Sequence, residues 1–348
     1  MYSLTFSDLL LFHYILCSIS ITLPLKTNIY IIVRQNGRNM KKFLVAVFVF
    51  TITTVAFSQS VYKFLTLDTN PRAAAVAGSF VANNDDPNVV FYNPAGINTL
   101  SGTPISVSYL NYLMDINCAS VVVSKEYENI GRFSAAVKYI DYGDFTKADA
   151  DGNNLGSFGA GDVALMVGYG NKLEENFYYG ANVKFIYSGI EDYSSTAIAF
   201  DLGLFYEMPD ENWRFGFSVL NLGSQFSTYG NTKEDLPLDM RLGFTKQLEK
   251  VPLKFFWSFN KLCDKYDNLG ERFSNISAGA ELRLGKSFKL RFGYDNEKRK
   301  EWKIGNTPGL AGFSLGVGFN VSNYVVDYAF SSMGSIGSLH RFGISTSL

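Results

Sequence analysis

The sequence predicts an all-β fold: a transmembrane antiparallel β-barrel of about fourteen strands, preceded by a short N-terminal plug. Apolar and polar residues alternate along most of the chain, and many of the alternating runs are about 9 to 13 residues long. The composition agrees, because 16% of the 348 residues are aromatic and only 18% are charged. An apolar content of 47% excludes a disordered chain, and a net charge of −1 argues against a nucleic-acid partner.

The alternation indicates strands because successive side chains of a strand point to opposite faces. Between Phe177 and Ser188, for example, the odd-numbered residues are mostly large and apolar, whereas the even-numbered ones include Gly, Asn, Lys and Ser. A tilted strand crosses a bilayer in about 9 to 11 residues, so runs of this length fit a membrane barrel. We expect strands near residues 104–113, 117–125, 130–141, 157–170, 176–188, 194–207, 212–221, 236–248, 252–262, 273–284, 287–295, 310–321, 323–332 and 337–348.

The connections between these runs alternate in length. Residues 285–287 and 322–323 form tight turns, whereas 144–154 and 223–235 are longer polar loops, as in outer-membrane barrels. A soluble β-sandwich also alternates, but its outer face carries many charges, and here the polar face is rich in Gly, Ser and Asn. A propeller requires a blade repeat of about 40 to 50 residues, which the sequence does not show.

The N-terminal region predicts export. Residues 40–58 contain a basic start, an apolar stretch from Phe43 to Val55 and small residues before a cut expected after Ser58, the pattern of a signal peptide. Residues 1–39 are then an upstream extension from a misassigned start, and the alternative is a transmembrane helix near 9–21. The expected organisation continues with a hatch or plug over 59–103 and a barrel over 104–348, located in the bacterial outer membrane.

Residues 71–97 resemble the N-terminal hatch of the FadL-like outer-membrane transporters. The stretches 236–262 and 309–345 are similar to the PorV/PorQ branch of that superfamily, the PorQ-like barrels of type IX secretion. The resemblance implies a barrel of fourteen strands. The residues that carry the hatch motif are Pro71, Arg72, Gly78, Asn93, Pro94, Ala95 and Gly96.

This resemblance implies a role without enzymatic activity or cofactors. PorQ-like proteins hold a PorZ-like surface partner in an attachment complex with PorV and the sortase PorU, and that complex anchors secreted cargo. The partners expected here are therefore outer-membrane lipid and such a surface protein, contacted through loops 144–154 and 223–235. The alternative is a FadL-like channel for hydrophobic small molecules, and a lumenal enzyme is disfavoured because His340 is the only histidine after residue 58.

Several charged residues are predicted to face the barrel interior, where they could attract anions or pair with one another. These are Lys184, Asp239, Arg241, Glu281, Arg283 and Arg291. The oxygen-rich run from Asp149 to Asn154 fits either a calcium site or a solvated turn. Cys118 and Cys263 could form a disulfide or remain free thiols. The sequence assigns no catalytic, cofactor-binding or metal-ligating residues.

Overall fold

The computed structural model describes residues 60–266, 268–303 and 309–348. The predicted upstream extension (1–39) and signal peptide (40–58) lie outside the described residues. Among the residues described, no helix is both long and apolar enough to cross a membrane.

Fourteen antiparallel strands form a closed barrel, which confirms the predicted fold class. Each strand pairs with its neighbours in sequence, and β14 closes on β1 in a register that runs from Pro104↔Ser347 to Asn111↔His340. The strands are β1 (Pro104–Asn111), β2 (Asn117–Tyr127), β3 (Gly131–Ala148), β4 (Asn154–Glu174), β5 (Phe177–Ile190), β6 (Tyr193–Met208), β7 (Trp213–Ser227), β8 (Asp239–Gln247), β9 (Leu253–Phe259), β10 (Ile276–Leu284), β11 (Phe288–Asp295), β12 (Phe313–Val321), β13 (Tyr324–Ser332) and β14 (Ser338–Ser347).

The alternation in sequence separates the two faces of the barrel wall. Outward side chains such as Val167, Leu202 and Phe292 are 62%, 53% and 47% exposed, whereas inward Asn182 and Ser218 are buried. Apolar side chains this exposed around a closed cylinder are suited to contact with lipid tails rather than water. The small and polar inward residues leave room for, and bond to, material inside the barrel.

The connections differ between the two ends of the barrel. At the end we call the turn end, strands are joined by short segments such as 175–176, 285–287 and 322–323. The opposite end, the loop end, carries the long connections 228–238, 260–275 and 296–312. These include two short helices, α2 (Leu269–Arg272) and α3 (Asn296–Trp302). This asymmetry is that of outer-membrane barrels, in which the long loops are extracellular.

Two loops predicted from the sequence are shorter than expected. Most of 144–154 forms strand, because β3 and β4 continue as a two-stranded ribbon in which Phe145 pairs with Phe158 and their rings stack with centroids 5.4 Å apart. A bulge between Asp141 and Asp144 precedes the ribbon and interrupts the alternation that sequence reasoning relied on. Likewise β7 continues to Ser227, so the loop predicted from 223 begins later.

Residues 60–103, which we call the N-terminal segment, lie inside the barrel. The segment runs from the loop end, where the Val61 amide donates to the Asp235 carbonyl, to the turn end, where Thr103 pairs with Leu348. It contains α1 (Pro71–Ala75) and three 3-10 helices, Lys63–Thr66, Pro87–Phe91 and Pro94–Thr99. In three of these four helices a proline opens the first turn and an Asn or Asp before it caps a free amide.

Candidate functional site

A network of charged side chains joins the N-terminal segment to the barrel wall. The Arg72 guanidinium contacts Glu281 at 2.9 Å and Asp85 at 3.0 Å. Glu281 also accepts from Arg291 at 2.7 Å, and Arg291 contacts Asp327 at 2.5 Å. Burial would lower the pKa of Arg72, but Asp85, Glu281 and the nearby Asp86 carboxylate outweigh it and raise that pKa well above its usual value. Arg72 is therefore a permanent cation that holds the segment in place.

Asp85 is a second contact between the segment and the wall. Besides Arg72, it lies 3.3 Å from the Lys254 ammonium and 3.4 Å from the Arg283 guanidinium. Burial alone would raise the pKa of the Asp85 carboxyl, but Arg72 and Lys254 lower it well below the usual value. Asp85, whose side chain is 36% exposed, is thus bound by three cations near the turn end.

A third charged group connects the segment to a loop at the loop end. Asp68 contacts the Lys298 ammonium of α3 at 2.8 Å and accepts a hydrogen bond from the Tyr92 hydroxyl at 2.8 Å. Its backbone carbonyl accepts from Arg341 of β14 at 2.5 Å. Burial would raise the pKa of Asp68, but Lys298 together with Arg341 and Arg241 lowers it well below its usual value.

The remaining predicted interior charges also face inward and are paired. Lys184 contacts Asp201 at 2.8 Å, a partner that the sequence analysis did not single out. Arg241 contacts Asp239 at 2.7 Å and lies over the Tyr92 ring, 5.6 Å from its centroid. All six predicted interior charges therefore take part in ion pairs, and Arg283, the most exposed of them, has the longest contacts.

The hatch-motif residues shape the N-terminal segment and its approach to the wall. Asn93 donates from its side-chain amide to the carbonyls of Val81 and Leu204 at 3.0 and 2.9 Å, and its side-chain oxygen accepts from the Ala95 amide. Pro94 starts the helix that follows. Gly203 faces this turn, and a Cβ there would lie 2.1 Å from the Asn93 side-chain oxygen.

The other motif residues are required by close contacts. Gly96 leaves no room for a side chain, because a Cβ would lie 2.6 Å from Val89. Gly78 has a positive φ of 73° and sits against the Asp68 carboxylate. Pro71 lies against Gly343 of β14, where a Cβ would approach its ring to 2.7 Å.

An apolar cluster occupies part of the interior at the loop end, a feature that sequence reasoning missed. Tyr62 and Phe64 of the segment are buried there among inward Leu110, Ile140 and Ile186. These wall residues occupy positions that carry polar or small side chains elsewhere on the inward face. An inward apolar residue among inward polar ones was the signal that could have located this apolar chamber. The segment fills it.

Other residues singled out by sequence take no part in the interior network, apart from Cys118, which lies close to it. The Asp149 carboxylate accepts from the amides of Asp151 and Asn153 at 3.0 and 2.8 Å, so it closes an exposed turn. Cys118, near Thr69, and Cys263 are both free thiols. Across the ranges that the structure describes, no group of three or more His, Cys, Asp or Glu is arranged to hold a metal ion.

His340 lies on the outward face of β14. Its ring nitrogens contact the Tyr328 hydroxyl at 2.8 Å and the Ser338 hydroxyl at 3.1 Å. Its cross-strand partner is Phe330 of β13, and Tyr328 lies two residues away on the same outward face. This histidine therefore belongs to the outer surface rather than the interior.

Comparison with known proteins identifies the fold. No family model and no curated protein matches the chain. Among solved structures, the toluene transporter TbuX of Ralstonia pickettii matches with a TM-score of 0.54 and 13% identity, over 80% of this chain and 98% of that one. The toluene transporter TodX of Pseudomonas putida matches at 0.51 with 10% identity, over 81% and 98%. The monoaromatic hydrocarbon channel CymD matches at 0.51 with 13% identity, over 80% and 97%.

These neighbours are FadL-type outer-membrane barrels of fourteen strands. The chain therefore shares the fold of these proteins, a closed barrel of fourteen antiparallel strands. At such low identity, the likeness defines the architecture and leaves function to be argued from the residues.

Proposed function

We propose that this chain is an outer-membrane barrel that docks a surface protein, as a component of the type IX secretion machinery. The observation that carries the proposal is the occupied interior. Arg72, Asp85 and Asp68 of the N-terminal segment bind the wall and one loop through ion pairs, each with at least one partner less than 10% exposed. Because its own chain fills the barrel, the loops are the surface through which it can bind a partner protein.

The loop end fits this role. Its connections are long, and residues 230–233 of the β7–β8 loop are exposed. The same loop is supported from within, because the Val61 amide donates to Asp235 and the Gln225 side-chain oxygen accepts from Glu234. The segment thus holds the base of a loop whose tip is free to contact a partner. The sequence resemblance supplies the nature of the partner, a PorZ-like surface protein.

Gene deletion tests the docking proposal, because the surface partner should then appear in the medium. Wild-type chain should restore attachment, and a chain with residues 230–233 replaced by Gly and Ser should not. A matched replacement of exposed residues 249–251, in a turn at the opposite end, is the control and should restore attachment. Heat-modifiable migration on a gel checks that each barrel folds. Retention of the partner on the deletion strain contradicts the proposal.

A second candidate is a channel for hydrophobic small molecules, and the apolar chamber favours it. Tyr62 and Phe64 occupy a space lined by Leu110, Ile140 and Ile186, which an apolar ligand could enter if the segment withdrew. The activities of TbuX, TodX and CymD, transport of toluene or monoaromatic hydrocarbons, support this candidate better than docking.

Uptake measurements separate the two candidates. A channel predicts that vesicles containing the barrel take up toluene faster than empty vesicles, and that Phe64→Ala increases the rate by enlarging the chamber. Phe80→Ala is the control, because Phe80 is equally buried but packs against Tyr92 and Phe256 outside that chamber. Uptake equal to that of empty vesicles for all three proteins eliminates the channel.

A further inference from the structure

A cavity of about 330 Å³ opens at the turn end of the barrel, beside the β10–β11 turn. Its lining comprises Arg283, Gly285, Lys286, Phe288, Lys289 and Asn320. Three of these six residues are cations, and none is an acid. The cavity is separate from the apolar chamber and from the loop-end surface discussed above.

Two of the cations are placed directly against each other. Arg283 and Lys289 are cross-strand partners of β10 and β11, and both face inward. Like charges directly opposite in an antiparallel pair are destabilising unless something neutralises them. Lys289 has neither a hydrogen bond nor an ion pair within the part of the chain that the structure describes. An anion between the two side chains would remove their repulsion.

The nearby carboxylates are already bound by closer cations. Arg283 lies 3.4 Å from Asp85 and 3.7 Å from Glu281. Asp85 is contacted at 3.0 Å by Arg72, and Glu281 is contacted at 2.7 Å by Arg291. Both carboxylates therefore make their shortest contacts with other cations, and they neutralise Arg283 only in part.

A formal charge balance over the connected cluster leaves a positive excess of two. The cations are Arg72, Lys254, Arg283, Lys286, Lys289 and Arg291, and the carboxylates are Asp85, Asp86, Glu281 and Asp327. The excess is located at the cavity, because Lys286 and Lys289 are the members without a carboxylate contact. A site of this charge and size suits a doubly charged oxyanion.

The side chain of Asn320, a residue of the cavity lining, adds a second observation. The Asn320 side chain donates to the Lys286 carbonyl at 2.9 Å, which fixes the amide, while its oxygen is buried without a hydrogen-bond partner. An unpartnered buried acceptor favours a ligand that also carries a hydroxyl hydrogen. A hydrogen phosphate dianion, or a phosphate ester with a neighbouring hydroxyl, offers both acceptor oxygens for the cations and a donor for Asn320.

We propose that this cavity binds a phosphate group through Arg283, Lys286 and Lys289. The arginine fork can bind two phosphate oxygens at once, and each lysine adds a point charge. The phosphate could belong to a phospholipid headgroup or to a soluble molecule, and the chemistry of recognition is the same. The site is independent of the docking and channel candidates.

Binding of inorganic phosphate to the full chain, folded in detergent micelles, tests the proposal by titration calorimetry. A second arm measures binding of the same barrel to phosphatidylcholine vesicles with and without phosphatidylglycerol. Lys289→Gln should weaken the phosphate interaction by about tenfold or more, because a charge-assisted contact is lost. Lys250→Gln, which removes an exposed lysine at the same end of the barrel, is the matched control and should leave binding unchanged.

The outcomes are distinct. Saturable phosphate binding that weakens in Lys289→Gln but not in Lys250→Gln supports a soluble ligand. If Lys289→Gln instead weakens only the binding to vesicles that contain phosphatidylglycerol, the ligand is a lipid headgroup. Lys289→Arg retains the charge and should retain binding, which guards against a folding defect. No saturable binding in either arm, or equal losses in both glutamine variants, overturns the proposal.

Discussion

Replacing Arg72 by methionine is the sharpest test of how the N-terminal segment is held. The change removes a cation that contacts Glu281 at 2.9 Å, Asp85 at 3.0 Å and Asp86 at 3.6 Å. The Arg72 side chain is only 6% exposed. Removing one partner of a buried ion pair costs about 3 to 5 kcal/mol, because the other charge stays buried and uncompensated. Other cations near the same acids, including Arg291, moderate the loss, so we expect about 3 kcal/mol.

The assay is urea unfolding of the barrel in lipid vesicles, followed by tryptophan fluorescence. Arg214→Met is the control, because Arg214 contacts Glu207 at a similar 2.9 Å but both side chains are about one-fifth exposed. A partly exposed pair contributes about 1 kcal/mol or less. Two equal losses, or an Arg72→Met variant as stable as the wild type, refute the claim that burial makes the interior pairs strong.

A double-mutant cycle identifies which acid matters most. If Arg72 and Glu281 are directly coupled, Arg72→Met combined with Glu281→Gln should destabilise the barrel by less than the sum of the two single changes. A coupling of about 0.5 to 3 kcal/mol is expected for residues in one buried network. Simple additivity would show that Arg72 acts mainly through Asp85 instead.

Three further predictions concern other parts of the molecule. Because the pKa of Asp68 is well below its ordinary value of 3.8 in the folded chain, its stabilising contribution is complete above that value and declines progressively as the pH falls from 3.8 toward the folded pKa. Limited proteolysis of the segment should therefore begin to increase near pH 3, and Asp68→Asn should remove this acid dependence. Burial and nearby acids raise the pKa of Cys263 to about 11, so maleimide labelling of this partly buried thiol should accelerate from pH 7 to 9. Buried Cys118 should be labelled only after unfolding, and mass spectrometry can distinguish the two sites. Gly180→Ala should destabilise the barrel by about 1 to 3 kcal/mol in urea, since its Cβ would lie 2.5 Å from the segment backbone, whereas Gly230→Ala, with open space around it, should be neutral.

The sequence predicts the wall of this barrel well because a strand encodes its two faces locally. The odd and even residues of β5 separate into outward and inward sets, and each set is visible in any short window. The ribbon beyond Asp144 was predicted wrongly as a loop, because a bulge shifts the alternation and its residues are exposed on both faces. Where burial does not distinguish the faces, the pattern that identifies a strand is lost.

The interior contacts are not encoded locally, so the sequence could identify charged residues that face inward but not which of them pair. Arg72 and Glu281 are separated by 209 positions, and nothing near either residue indicates the other. Lys184 was assigned to the interior from its face, yet its partner Asp201 lies on the next strand and was not identified. The alternation gives the direction of a side chain, whereas its partner depends on how the whole barrel closes around the segment.

The inward glycines explain why this wall accepts a chain inside it. Added Cβ atoms at Gly216, Gly279 and Gly293 would lie 2.3 to 2.5 Å from Val81, Val76 and Ala77. Three separate strands therefore lack side chains where the segment passes, and its backbone fills the space that a Val or Leu would occupy. Since glycine in a strand weakens the sheet unless something packs against it, these positions gain their stability from the segment. The wall and the N-terminal segment are thus one packing unit, and the docking and channel candidates differ in whether that unit stays closed or opens when the barrel works.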